Sequence, residues 1–317
     1  MRFGLCIPVK KPGAFVEPMV AAINAQTRRP DKILVIDSGH GEGETSRYTE
    51  CGAEVLQISP EEFDHGETRN IALRSLDVDV CMFLTQDAIP ARPDTFANLL
   101  RSLEEDERVA VAYGRQMPGH GAGPFARHHR MYNYPDVGGK RTIDDARRLG
   151  IRAAFCSNSF AAYRRSAMEQ IGWFPRNTIW GEDTIAAARL LAAGWAVAYV
   201  AEAVVSHSHD FSLKEEFGRY FDAGVFHATE RWYREMLGRA EGEGFRFLRS
   251  ELRYFIDNEV PFAVGKVVIR NAVRWLGYRT GLLHWLVPRA ICRAISHNKA
   301  YWSQKAVVTA DGRSHVQ

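Results

Sequence analysis

Cys81-Met82-Phe83-Leu84-Thr85-Gln86-Asp87-Ala88-Ile89-Pro90 begins as a fully apolar run and ends in a single carboxylate. A short apolar run bounded by polar residues and proline reads as a strand buried on both faces of a parallel sheet. Ligands of open α/β sheets bind just beyond the carboxyl ends of the strands, which is where Asp87 falls. A carboxylate there can hold a divalent cation against phosphates. It can equally begin a turn and cap the helix expected from Pro93. The segments on either side decide between the two.

Upstream, Phe3–Pro8, Lys32–Asp37 and Glu54–Ile58 have strand character, and the second also ends in a carboxylate. Ser38-Gly39-His40-Gly41 then turns the chain. Phe15–Thr27 has helical spacing, with Val16, Met19, Val20 and Ile23 on one stripe. Thr68–Leu76 and Pro93–Glu105 read as helices around the Val80–Leu84 strand, and Val109–Tyr113 as a fifth strand. Strands alternating with helices predict an α/β fold on a mostly parallel sheet with right-handed crossovers, of the nucleotide-binding type.

Downstream, Met117–Gly150 holds many glycines, three histidines and weak periodicity, and reads as a long loop, functional or disordered. Ala153–Tyr163 alternates as a strand, followed by a helix over Arg165–Ile171. Trp180-Gly181-Glu182-Asp183 precedes a helix over Thr184–Ala193, closed by Gly194. Ala196–Val205 is a strand that ends in Ser206-His207-Ser208-His209, with both histidines on one side of an extended segment. Ser212 and Glu215 have the form of a capping box, and the chain beyond is helical. The expected division is a catalytic unit over 1–210, with halves at about 1–116 and 117–210, and a helical region over 211–317.

The 317 residues are 46% hydrophobic and 25% charged, with a net charge of +3, which is an ordinary globular balance. The five cysteines have no metal spacing and read as buried thiols of a cytoplasmic protein. The N-terminal apolar run is broken by Pro8 and does not form a signal peptide. No segment reaches ~18 uninterrupted apolar residues, so a transmembrane helix is not expected. Residues 260–305 carry eight Lys and Arg, no Asp or Glu, and five Trp or Tyr residues. That composition suits an anionic membrane surface, against the blander reading of a solvated helix face. No nucleic-acid motif accompanies the charge, so nucleic acid is not an expected partner.

Five segments together resemble inverting family-2 glycosyltransferases, and among them the bacterial rhamnosyltransferases. They are Val35-Ile36-Asp37-Ser38-Gly39, the Phe63–Asn70 stretch, Leu84-Thr85-Gln86-Asp87-Ala88, Gly181-Glu182-Asp183, and Val205–His209. The stretch Gly224-Val225-Phe226-His227 points the same way. The resemblance implies a GT-A nucleotide-sugar-binding fold with a C-terminal helical extension. It implies donor contacts from Pro8, Asp37, Arg69, Asn70, Gln86 and Asp87, with Asp37 on a pyrimidine imide and Arg69 on base or diphosphate. It implies Mg²⁺ or Mn²⁺ at Asp87, where Thr85 stands in place of the family's first carboxylate. His207 is a plausible further ligand, and the pattern leaves open which of His207 and His209 faces the metal.

Asp183 matches the family's general base, at a helix start that would lower its pKa. Trp180 and Glu182 would meet the acceptor sugar. The implied reaction moves a sugar, L-rhamnose from dTDP-L-rhamnose, to a hydroxyl of a lipid-linked or surface polysaccharide at the inner face of the cytoplasmic membrane. A UDP-hexose donor, or a nucleotide-sugar-binding protein without catalysis, are the alternatives.

Overall fold

The structure is a computed structural model that describes residues 1–39, 45–238, 241–258 and 264–303, with the backbone of 306–308 and 314–316. His40 and Gly41 of the expected turn, and residues 260–263, 304 and 305 of the basic stretch, lie outside the described residues.

The sheet strands are β1 (Phe3–Val9), β2 (Lys32–Asp37), β3 (Ala53–Gln57), β4 (Val80–Leu84), β5 (Ile89–Pro90), β6 (Val109–Met117), β7 (Gly139–Arg141), β8 (Phe160–Arg164) and β9 (Ala196–Ser206). The order across the sheet is β3-β2-β1-β4-β8-β6-β9-β5, with β7 also on β9. The first half carries α1 (Val16–Asn24), α2 (His65–Ser75) and α3 (Thr95–Glu105). The second half adds α4 (Pro124–Asn133), α5 (Ala146–Leu149), α6 (Arg165–Gln170) and α7 (Glu182–Ala192). The C-terminal helices are α8 (Leu213–Thr229), α9 (Arg231–Leu237), α10 (Glu241–Asp257), α11 (Val264–Leu282), α12 (Arg289–Ile295) and α13 (Lys299–Ser303). Ala306–Val308 and Ser314–Val316 pair as a small hairpin.

β4 sits where its sequence demands. Alternate side chains leave a strand on opposite faces. Val80, Met82 and Leu84 enter one core, while Cys81 and Phe83 enter the other. Phe83 packs edge-on against Tyr163 and Phe174 at 5.8 and 5.7 Å. β1, β2, β3 and β4 are parallel, as expected.

The expectation of a mostly parallel sheet fails at β8, which runs antiparallel between β4 and β6. β6 is not followed by a crossover helix to a parallel neighbour; its chain makes an excursion and returns beside it. That excursion is not the expected loop. It contains α4, opened by Pro124 in the first turn, and β7. α4 buries only Ala126 and His128, so it shows no apolar period. The expected strand from Ala153 also shortens. Ala153 and Ala154 belong to a helical turn, and Ser157-Asn158-Ser159 make a polar turn before β8. α2 starts at His65 rather than Thr68, because the Asp64 carboxylate caps the N–H groups of Gly66 and Glu67. The capping box at Ser212 and Glu215 is present at the start of α8.

α8 lies over one sheet face and contributes Phe221, Val225 and Phe226 to the core there. α11 runs against α8 with almost no side chain between them. A Cβ on Gly224 would stand 2.2 Å from the Tyr278 carbonyl oxygen, and one on Gly281 would stand 2.0 Å from that of Phe221. Glycine is required where backbones meet this closely.

The basic stretch does not form one outer face. Arg274 is buried and bonds Glu216 at 2.6 Å and Glu251 at 3.0 Å. Arg270 pairs with Glu216 at 3.1 Å. These two arginines hold α11 to α8 and α10 and are not available to a membrane. Trp302 is buried in the core as well.

Candidate active site

The carboxyl end of β4 and that of β9 meet at one rim of the sheet. Asp87 follows β4, and its Oδ2 lies 3.0 Å from His209 Nε2. His207 stands perpendicular to His209, with ring centres 4.8 Å apart. Asp87, His207 and His209 each bring a ligand atom within 4.8 Å of the others. The structure thus places both histidines at Asp87.

The donor set, one carboxylate and two imidazoles, fits a divalent cation by ligand type. His207 Nδ1 is buried with no hydrogen-bond partner, a cost that a metal–nitrogen bond removes. Burial and the Arg130 guanidinium push His207 down to about 3, so its ring is neutral and able to ligate. Burial opposes ionisation of Asp87, but the His209 hydrogen bond and the nearby imidazoles hold its carboxyl well below the usual range. One carboxylate with two imidazoles suits Mn²⁺ better than Mg²⁺. Thr85 brings only a neutral hydroxyl where a second carboxylate would stand.

Gln86 does not face the same way. Its amide accepts from the Lys10 N–H at 2.7 Å and donates to the Lys10 carbonyl at 3.3 Å. This ties the end of β4 to the end of β1, two residues beyond the half-buried Pro8. Asp37, fully buried at the end of β2, accepts from the N–H of Gly39 at 2.7 Å, Thr45 Oγ1 at 3.4 Å and Gln57 Nε2 at 3.2 Å.

The second carboxylate pair lies at the start of α7. Gly181 takes φ +77°, a left-handed turn that glycine adopts without strain. It aims Glu182 and Asp183 into the molecule. Asp183 Oδ2 accepts from the Asn158 N–H at 3.0 Å, and Oδ1 accepts from the Thr184 N–H at 2.7 Å. No cation pairs with it among the described residues. Glu182 takes Arg69 at 3.3 Å and Asn158 Nδ2 at 3.1 Å.

The two acids therefore titrate in opposite directions. Burial raises Asp183, and the Glu182 charge raises it further. Burial also opposes Glu182, but Arg69 holds it below its ordinary value. The expectation that the helix start lowers Asp183 is reversed, because desolvation and a like charge outweigh two backbone N–H bonds.

Arg69 and Asn70 both point toward this loop. Arg69 is buried, bonds the His65 carbonyl at 2.6 Å and pairs with Glu182. The Asn70 side chain accepts from the Phe174 N–H at 2.9 Å and donates to its carbonyl at 3.0 Å. Trp180 is half-exposed and packs edge-on against Phe226 at 5.3 Å. The Gly224–His227 stretch is thus the floor under the Trp180 loop.

Two residues outside the sequence-derived set, Asn158 and Arg130, join His209 in completing the site. Asn158 touches both acids. His209 bonds Asp87. Arg130 of α4 donates to Gln116 at 2.5 Å, and Gln116 donates to Ser157 at 2.9 Å. The Thr85 N–H also bonds the Ser159 carbonyl at 3.2 Å. The 157–159 turn therefore stands between the Asp87, His207 and His209 cluster and Asp183. The polar run Ser157-Asn158-Ser159 inside an otherwise apolar alternation was the available signal.

Residues 5–172 match the family model described as glycosyl transferase family 2. The chain belongs to that family. This glycosyltransferase is 42% identical over 306 residues to the O-antigen chain rhamnosyltransferase RfbN of Salmonella typhimurium, spanning 96% of both chains. It is 43% identical over 284 residues to WbaN of Salmonella anatum, an O-antigen chain rhamnosyltransferase, spanning 89% of both. The fold is that of GT-A glycosyltransferases. The mannosyltransferase PcManGT of Pyrobaculum calidifontis, solved with GDP-Man and Mn²⁺, superposes with TM-score 0.55 at 16% identity over 95% of this chain and 85% of its own. Staphylococcus aureus TarS 1–349, solved with UDP-GlcNAc, superposes with TM-score 0.54 at 14% identity over 100% of this chain and 97% of its own.

Proposed function

We propose that this glycosyltransferase moves L-rhamnose from dTDP-L-rhamnose to a sugar hydroxyl of a lipid-linked polysaccharide precursor, with inversion at the anomeric carbon. The observation that carries the mechanism is the opposed titration of its two carboxylate centres. Environments that push two acids apart assign them different tasks. Asp87 stays ionised between two imidazoles, as a cation ligand must. Asp183 is raised and keeps no cation partner, as a base poised for a proton must.

The acceptor oxygen attacks the anomeric carbon opposite the leaving diphosphate, and its proton passes to Asp183. The bond from that carbon to the phosphate oxygen breaks, and its electron pair leaves with the diphosphate. Asp87, His207 and His209 would hold a divalent cation, which would supply charge stabilisation to the leaving diphosphate. Asp37 accepts the pyrimidine N–H, and Pro8 and Gln86 shape the donor end through the β1 rim. Arg69 and Asn70 serve by fixing the Glu182 loop. Trp180 and Glu182 meet the acceptor. Residues 1–210 form the catalytic unit and 211–317 tie it to the inner face of the cytoplasmic membrane. The 42% identity over nearly the full chain to RfbN supports rhamnose over another sugar.

The test is a donor panel with Mn²⁺, comparing dTDP-rhamnose, UDP-glucose and GDP-mannose for donor hydrolysis and transfer. Turnover of dTDP-rhamnose above the others is expected. Preference for a UDP-hexose overturns the sugar, and no turnover of any donor overturns catalysis.

A further inference from the structure

α11 is turned inside out. In a helix on a water-exposed protein surface the apolar stripe faces the core and the charges face solvent. Here Arg270, Asn271 and Arg274 face inward, where they meet Glu216 and Glu251. Val268, Ile269, Trp275 and Leu276 face outward. The apolar stripe continues past the helix into Trp285 at 63% and Leu286 at 72% exposure.

The inner face explains the inversion. α11 meets α8 through Gly277 and Gly281, backbone against backbone. Small residues turned toward partner helices, with large apolar residues turned away, is the packing pattern of helices that face lipid. No described helix is long and apolar enough to cross a membrane. The outer face therefore belongs at the depth of the headgroups.

Charge selects the occupant. Lys266, Arg279 and Arg293 are exposed, and residues 264–303 hold no Asp or Glu. Two copies of such a face would set like charges against each other across a symmetric contact. Anionic lipid complements it, and Trp275 and Trp285 suit the boundary of headgroup and acyl chain.

We propose that the outer face of α11, together with the turn at Trp285 and Leu286, inserts into an anionic bilayer surface, with the lysine and arginines as its rim. Insertion here is apolar first and electrostatic second, unlike adhesion by a basic face. The inference deepens the lipid-linked acceptor reading and is tested apart from it.

The full chain is floated with vesicles of phosphatidylcholine alone or with about a third phosphatidylglycerol. Tryptophan emission is followed with brominated acyl chains. Wild type should float with the anionic vesicles, be quenched by bromine, and stay bound in about 0.5 M salt, where exposed charge is screened. Trp275→Ser, Trp285→Ser and Leu286→Ser together should lower partition roughly tenfold or more, from the apolar area lost. Their unfolding midpoint should hold, because all three are exposed. Lys266→Glu, Arg279→Glu and Arg293→Glu together should lower partition less than the apolar triple and keep quenching.

A wild type that does not float overturns the proposal, as does one that floats unquenched or is released by salt. A serine triple that floats like wild type overturns it too. A wild-type dimer that the serine triple turns into monomer, without flotation, makes the face a contact between copies and also overturns it. Transfer to a soluble acceptor, read on the same samples, should be unchanged in both triples. Its absence in wild type strikes the transferase reading and leaves the vesicle result standing.

Discussion

Arg274, buried, and Asp183, half-buried, are both charged groups set against carboxylates, and their surroundings treat them oppositely. Arg274 lies between Glu216 and Glu251, and Arg270 brings a second positive charge to the same cluster. Two cations meet two anions. At the start of α7, Glu182 and Asp183 share one cation, Arg69, which lies on Glu182. Balance in the helical cluster fixes α11 in place. The missing cation beside Asp183 leaves that carboxylate high in energy when ionised and ready to take a proton. Charge set against carboxylates serves as anchor in one region and, on the function proposed above, as the base in the other.

The largest effect expected from breaking the contrast is on the anchored side. Arg274→Ala leaves two buried carboxylates without their shared partner and should cost about 3–5 kcal/mol of stability. Denaturant unfolding measures it. A loss below about 1 kcal/mol, the scale of a surface ion pair, would mean that the cluster is open to water.

On the reactive side, Asp183→Asn keeps the shape and removes the base. Transfer should fall by ~10²-fold or more, about 2.7 kcal/mol, while donor binding by calorimetry stays near wild type. Near-normal turnover would take Asp183 out of the mechanism.

His209→Ala removes one of three cation donors, and its effect should be smaller. The Mn²⁺ concentration that gives half-maximal transfer should rise roughly tenfold, about 1.4 kcal/mol. Asp87→Ala should be worse, and chelator should imitate it. Transfer that ignores chelator sinks the metal assignment for all three residues.

The smallest effect sharpens the contrast. Asp183 works ionised, and burial with the Glu182 charge raises its pKa, so transfer is lost as pH falls through that raised value. The acid limb of the kcat/KM profile should lie above the ~3.9 of a free aspartate. Glu182→Gln removes the neighbouring negative charge and should move the limb toward acid. A limb that does not move assigns the rise to burial alone.

Much of this was legible in the sequence. β4 and its terminal carboxylate were plain because an apolar run of that length has few other homes. His207 and His209 announced themselves by alternation, since a period of two puts both on one side. What the sequence hid was hidden for physical reasons. α4 has no apolar stripe, so nothing marked it as a helix or Arg130 as a neighbour of the metal-ligand cluster. Asn158 works through its backbone N–H as well as its amide, and a backbone donor has no sequence signature. The direction of the Asp183 shift depends on desolvation, which spacing does not report. Which side of α11 each charge takes was not legible either, because Arg270 and Arg274 meet carboxylates of α8 and α10 that only the tertiary fold brings to them.

The reversed strand β8 has a consequence for how this chain can vary. Because β6 and β8 are antiparallel neighbours, the forty or so residues joining them leave and re-enter the sheet side by side at one rim. A segment with adjacent ends can grow or shrink with little entropic cost, about 0.6 kcal/mol for each doubling of its length. Two parts of it are tied to the site: β7 pairs with β9, the strand that leads to His207, and Arg130 of α4 bonds Gln116 beside the Asp87 cluster. The loops of that segment between α4, β7 and β8 are therefore where its length can vary with the pairing of β7 on β9 and of β6 on β8 left intact.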